Sequence, residues 1–152
     1  MKNKIFELYK PLSLESFLEF YKSNPKERFV YVIQQPAPNI NILSASDFGY
    51  LVICLPNRDQ AIYSTAPYVQ KMTKNLQNIR KEDYLLAVGD PIIICLSGII
   101  ASDNTNGQFN MLKWDKREYR YYPLDFDMYL KGERNDGWSK KYDVRRFKRS
   151  SR

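Results

Sequence analysis

The side chains best suited to chemistry in this sequence lie near its end, where cations alternate with aromatic rings. Residues 131–152 hold nine basic and three acidic side chains, so this segment carries +6 of the net charge of +7. Lys and Arg neutralise phosphates, and Tyr and Phe stack on unpaired bases. The candidate nucleic-acid-binding residues are Lys140, Lys141, Tyr142, Arg145, Arg146, Phe147, Lys148 and Arg149, with Trp138 as a further aromatic anchor.

The same basic segment is compatible with other partners. An acidic protein surface would attract these cations equally well, and a solvated tail that only maintains solubility has the same composition. All three interpretations stay open, and nucleic acid is the favoured one because aromatic residues are interleaved with the charges.

No catalytic residue is predicted. The chain has no His, which removes the commonest general base and metal ligand. Its one Ser-x-x-Lys, from Ser23 to Lys26, contains Pro25 and lies where a helix is expected to end. Glycine-rich phosphate loops and Cys-x-x-Cys pairs are absent, and Asp125 and Asp127 lack a third candidate ligand. We therefore expect a non-enzymatic protein with no metal site and no cofactor.

The hydrophobic pattern alternates between strands and helices. Continuous apolar runs at 50–55 and 84–88 are typical of strands buried on both faces. Strands are predicted at 28–34, 50–55, 84–88, 109–114 and 119–126, and helices at 14–23, 66–79 and 92–102, with a short helical turn at 44–48. This order predicts an α/β fold: a single five-stranded mixed sheet, mostly parallel, with an antiparallel edge hairpin and helices on both faces.

Four further expectations follow from the sequence. Residues 1–130 form one compact α/β domain, and residues 131–152 form a basic C-terminal tail. The helix at 92–102 is apolar nearly all round, so we expect it to be the most buried helix. Cys54 and Cys95 lie in apolar runs and are expected to be buried thiols in a reducing compartment. Gly89-Asp90-Pro91 interrupts the apolar stretch at 84–101, which argues against a membrane span.

Polar residues follow the predicted parallel strands, where ligands bind in open α/β sheets. The candidate ligand-binding residues are Gln34, Gln35, Asn57, Ser64, Thr65, Gly89 and Asp90. Together they would form a pocket of nucleotide size. The competing interpretation of Asp90 is a helix N-cap, which is the favoured role because its carboxylate would repel a phosphate.

Three segments of the chain carry a resemblance to other proteins. They are Ala66-Pro67-Tyr68-Val69-Gln70-Lys71-Met72, Tyr84-Leu85-Leu86-Ala87-Val88-Gly89-Asp90-Pro91 and Met111-Leu112-Lys113-Trp114-Asp115-Lys116. Over about residues 28–126 the chain resembles small uncharacterised proteins of marine tailed bacteriophages. The resemblance implies a phage gene product, located in the cytoplasm of the infected bacterium or in the virion. It implies no known activity and transfers no catalytic residue.

The favoured hypothesis is a non-enzymatic phage accessory protein whose basic tail contacts nucleic acid or a nucleoprotein machine. One alternative is a small-ligand or nucleotide-binding Rossmann-like module at the carboxyl ends of the strands. Another is a virion or host-takeover protein that acts by protein contact alone.

Overall fold

The computed structural model describes residues 5–9 and 11–129, which form one sheet flanked by helices. The strands are β1 (Ile5–Glu7), β2 (Phe29–Gln34), β3 (Tyr50–Leu55), β4 (Tyr84–Leu86), β5 (Gln108–Asp115) and β6 (Arg120–Asp127). The α-helices are α1 (Pro11–Ser23), α2 (Ala66–Asn75) and α3 (Pro91–Asn104), and a 3₁₀ helix spans Leu43–Asp47.

The sheet has the order β1-β3-β2-β4-β5-β6, and all neighbours are parallel except β5 and β6. This confirms a mostly parallel α/β sheet with an antiparallel edge hairpin. The predicted number of five strands is wrong, because β1 adds a sixth beside β3, with Ile5 opposite Leu51. The segment is too short to show a period of two, and its apolar residues do not form a continuous run of the kind that indicated β4.

The three α-helices pack against one face of the sheet, where Phe17 of α1, Met72 of α2 and Ile93 of α3 join one apolar cluster. Against the other face packs the 3₁₀ helix, through Ala45. The prediction of helices on both faces is thus confirmed only in part. In the described residues, the second face is covered by one short 3₁₀ helix and by no α-helix. Connections through α1, α2 and α3 run toward β6, whereas the β2–β3 connection runs toward β1. Right-handed crossovers that run in opposite directions lie on opposite faces.

Strands β2 and β3 form the centre of the core. Every residue from Phe29 to Gln34 and from Leu51 to Leu55 is buried, and for β3 the continuous apolar run at 50–55 predicted this burial. Helix α2 ends at Asn75, earlier than predicted, although Leu76 and Ile79 beyond it are still buried.

Helix α3 has four buried residues, against one in α2 and one among the described side chains of α1, in line with the prediction that it is the most buried helix. One side of it is nevertheless exposed. Ile92 and Ile99 are 50% and 60% exposed. Cys95, expected to be buried, is also exposed, whereas Cys54 is buried, and burial raises the pKa of its thiol. A helix packed on the outside of a sheet keeps one side toward solvent, and its apolar composition cannot change that geometry.

Candidate functional site

The centre of the sheet contains the crevice that its topology predicts. The chain leaves β2 toward β3 on one side, and β4 lies on the other side of β2. The connection that leaves β2 and the connection that leaves β4 therefore run in opposite directions across the sheet. Ligands of open α/β sheets bind at the carboxyl ends of two neighbouring strands whose connections diverge in this way. Gln34 ends β2 at this point, and Gly89 and Asp90 follow β4.

The Gln34 side chain fills this crevice. Its amide nitrogen donates to the carbonyl oxygens of Pro56 and Asp59, and its Oε1 accepts the Asp90 N–H at 2.8 Å. Gly89 has φ of +127°, and a Cβ there would lie 2.5 Å from the Gln34 Cβ and Oε1. The residue must therefore be glycine for the chain to pass the Gln34 side chain. In this arrangement Gln34 ties the ends of β2, β3 and β4 together.

Asp90 is the N-cap of α3, which confirms the favoured interpretation. Its Oδ1 accepts the Ile92 N–H at 2.8 Å, and its Oδ2 accepts the Ala61 N–H at 3.3 Å. The carboxylate thus occupies the helix N-terminus where an anionic ligand would otherwise bind.

The other four ligand-binding candidates lie around this cluster in separate roles. The Gln35 Oε1 accepts the Tyr9 hydroxyl at 2.7 Å, and Asn57 is exposed in the turn after β3. The Ser64 Oγ accepts the Ala66 N–H at 3.2 Å, and Thr65 is the N-cap residue of α2 without a capping hydrogen bond from its side chain. Of the seven candidates, Gln34, Gly89 and Asp90 are the three in mutual contact.

Beside this cluster lies a cavity of about 310 Å³ that the sequence did not predict. It is lined by Leu8, Tyr9, Pro56, Asp59, Lys71, Lys74 and Asn75. Lys71 pairs with Asp59 at 3.3 Å, which leaves Lys74 as the cation of the cavity without an ion-pair partner in residues 5–9 and 11–129. In the sequence, the spacing of Lys71 and Lys74 by three residues indicates that both lie on one side of the helix. The opposite side of the cavity is formed by Leu8 and Tyr9, which follow β1, and this strand was not predicted.

A second cavity, of about 370 Å³, lies at the opposite edge of the sheet. It is lined by residues 26–28 and 46–50 and contains charges of both signs. Across the described parts of the chain, no group of three or more Cys, Asp and Glu side chains is placed to hold a metal ion.

The hairpin between β5 and β6 carries a group of aromatic rings, with exposed cations around its turn. Trp114 of β5 lies opposite Tyr121 of β6, with ring centroids 4.9 Å apart, and Tyr119 follows in the turn. Because β5 is parallel to β4, this turn lies at the carboxyl edge of the sheet. The exposed cations around it are Lys113, Lys116, Arg117 and Arg120.

The predicted tail, with Lys140, Lys141, Tyr142, Arg145, Arg146, Phe147, Lys148 and Arg149, lies outside the described residues. The description ends at Tyr129, just after β6. Because β6 is antiparallel, its end at Asp127 is at the amino edge of the sheet, where the Met128 N–H donates to the Gly107 carbonyl. The described chain therefore ends at the edge opposite the hairpin turn.

None of the helices in residues 11–129 has the length and apolar character required to cross a membrane.

Comparison with known proteins gives one match. No curated protein and no solved structure is similar to the chain. The family model described as Phage Pam3 gp32-like protein matches residues 28–128, from the start of β2 to the end of the hairpin. This range contains the crevice and the hairpin, and it excludes β1, α1 and the basic tail. With about two-thirds of its length matched, the chain belongs to the Phage Pam3 gp32-like protein family.

Proposed function

We propose that this phage accessory protein binds nucleic acid through its basic tail and is not an enzyme. The observation that carries the proposal is the division of charge, with +6 in residues 131–152 against +1 in the rest of the chain. A nearly neutral body offers a polyanion almost no net attraction, whereas a tail with nine cations does, and contacts to phosphates dominate nucleic-acid affinity. The body then serves as the scaffold that presents the tail.

The salt dependence of binding tests this proposal. We expect fluorescent DNA or RNA to bind the full-length chain with log K falling against log salt at a slope of about −5 if six cations contact phosphates. Changing Arg145, Arg146, Lys148 and Arg149 to Gln should reduce the slope by about 3 to 4, since each lost contact removes about 0.9.

The matched control changes four exposed cations of the body, Lys22, Lys26, Arg58 and Lys81, to Gln. It removes the same charge and should leave the slope almost unchanged. Equal losses in both variants would mean that only net charge matters. No binding by the full-length chain at low salt would refute a nucleic-acid partner and favour protein contact as the function.

The cavity at the carboxyl edge supports a second candidate function, the binding of a small anion. Lys74 offers a cation there, and Asn75 donates from its side chain to the Cys54 carbonyl at 2.9 Å, which holds the end of α2 against β3. This position differs from the crevice that the sequence suggested, because Gln34 fills the crevice.

For that second candidate, inorganic phosphate at ten times its dissociation constant should raise the melting temperature by about 3–6 °C. Lys74→Gln should remove the shift, whereas Lys22→Gln should retain it. An unchanged melting temperature of the unaltered chain across millimolar phosphate would eliminate this candidate.

The marine origin implied by the resemblance, and a location in the infected cytoplasm or the virion, stay predictions.

A further inference from the structure

The turn between β5 and β6 presents an aromatic ring to solvent at a conformational cost. Tyr119 has φ of +50°, in the left-handed region that residues with a Cβ rarely adopt. Its side chain is 79% exposed, so burial does not compensate for the strained backbone. Gly or Asn would make this turn more easily, which makes the tyrosine ring the feature that requires an explanation.

A buried support holds this ring in place. Tyr119 packs edge-on against Trp114 with centroids 6.4 Å apart, and Trp114 packs in the same way against Tyr121. Tyr121 is only 6% exposed, and its hydroxyl donates to the Asn41 carbonyl at 2.9 Å. The three rings therefore form a series that is anchored in the core at one end and open to solvent at the other.

The turn itself is ordered by its own carboxylate. The Asp115 Oδ1 accepts the N–H of Arg117 at 2.8 Å and that of Glu118 at 3.3 Å. The side chains of Arg117 and Lys116 are exposed, and so are those of Lys113 and Arg120 on the adjoining strands. None of these four cations pairs with a carboxylate of the described residues, so all four are available to phosphates.

A held, exposed ring surrounded by free cations has the chemistry of single-stranded nucleic-acid sites, in which bases stack on aromatic side chains and cations follow the backbone. We propose that the hairpin turn is a stacking site for an unpaired base, with Tyr119 as the platform and Lys116 and Arg117 as phosphate contacts. This proposal rests on the proposed function and specifies its partner as single-stranded nucleic acid. Paired bases in a duplex do not offer their faces to such a ring.

The test compares Tyr119→Asn with unaltered full-length protein, using labelled single-stranded DNA, single-stranded RNA and a DNA duplex. Asn tolerates the left-handed conformation, so the variant should fold with an unchanged or higher melting temperature. We expect affinity for the single strands to fall about tenfold, since stacking on one ring is typically worth that much or more. Duplex affinity and the salt slope should not change, because the charges remain. The DNA and RNA arms identify which strand is preferred.

The matched control is Tyr63→Asn. Tyr63 is 99% exposed and lies in the connection after β3, which is three strands away from β5 in the sheet order. The control substitution therefore removes the same aromatic ring from a different part of the surface. An equal loss for single strands in both variants would overturn the proposal, as would no loss in Tyr119→Asn or an equal loss for duplex. If the unaltered chain binds the duplex and single strands only through the tail, Tyr119→Asn has no effect and the proposed function survives. If it binds neither, both proposals fail together.

Discussion

Replacement of Asp83 by alanine is expected to lower the free energy of unfolding by about 3–5 kcal/mol, the usual cost of removing one partner from a buried ion pair. The Asp83 side chain is fully buried, and its Oδ1 lies 3.1 Å from the Arg80 Nη2. The same carboxylate accepts the Phe29 N–H at 3.0 Å and the Arg80 N–H at 2.9 Å. Alanine would leave these donors in the core without an acceptor.

Arg80 extends this cluster to the loop before β2. Its Nη1 donates to the Pro25 carbonyl at 2.6 Å and its Nη2 to the Glu27 carbonyl, and its guanidinium lies 5.1 Å from the centre of the Tyr21 ring. The pair therefore joins the end of α1, the start of β2 and the turn before β4. Loss of Asp83 should loosen all three segments at once.

Denaturant unfolding of Asp83→Ala measures this effect. The matched control is Asp59→Ala, because Asp59 forms a more exposed pair with Lys71 and should cost at most about 1 kcal/mol. Similar losses in the two variants would contradict the special role of the buried pair.

The pH dependence provides an independent check through Asp83→Asn. Burial raises the pKa of the Asp83 carboxyl above its ordinary value, against the lowering effect of Arg80. A raised pKa means that the native state holds this proton more tightly than the unfolded state. The contribution of Asp83 is then fully present below its unfolded pKa and is lost as pH rises through the native pKa. The difference in the free energy of unfolding between the unaltered chain and Asp83→Asn should therefore fall as the pH rises from the unfolded pKa of Asp83 to its native pKa.

Gln34→Ala is the second substitution with a large expected effect, a loss of about 2–4 kcal/mol. The side chain is 4% exposed, and its removal leaves the Asp90 N–H and the carbonyls of Pro56 and Asp59 without their partner. Each unsatisfied buried group costs about 1–3 kcal/mol, partly offset where water enters the crevice.

The neighbouring Gln35→Ala is the matched control. Gln35 is half-buried, and its Oε1 accepts one hydrogen bond, from Tyr9, so we expect a loss near 1 kcal/mol. Thermal and denaturant unfolding of both variants measures the difference. If Gln34→Ala is as stable as the unaltered chain, the bonds of Gln34 are not structural, and it again becomes a candidate for binding a ligand.

Several elements were predictable because their signals are local. The unbroken apolar runs around Val52 and Leu85 indicated strands buried on both faces, and both are central in the sheet. Asp90 before Pro91 indicated an N-cap, and the Asp90 Oδ1 accepts the Ile92 N–H. A cap and a buried strand each depend on a few consecutive residues, so their pattern is complete in the sequence.

The candidate sites were harder to predict because they depend on distant residues. Gln34 and Asp90 are 56 residues apart, and no local pattern says that one fills the crevice beside the other. Asp83 was passed over for the same reason, since its partners include Phe29, 54 residues away. The exposure of Cys95 was mispredicted because composition does not say which side of a helix meets the sheet.

By itself, the sequence determined the α/β class, the parallel core and the concentration of cations in residues 131–152, since these follow from composition and short-range periodicity. Only the tertiary structure decided that β1 joins the sheet, that all three α-helices share one face and that Gln34 closes the central crevice. It also decided that Tyr119 stands exposed on a buried aromatic support. These features arise from strand order and crossover handedness, which bring residues together over separations that no local pattern encodes.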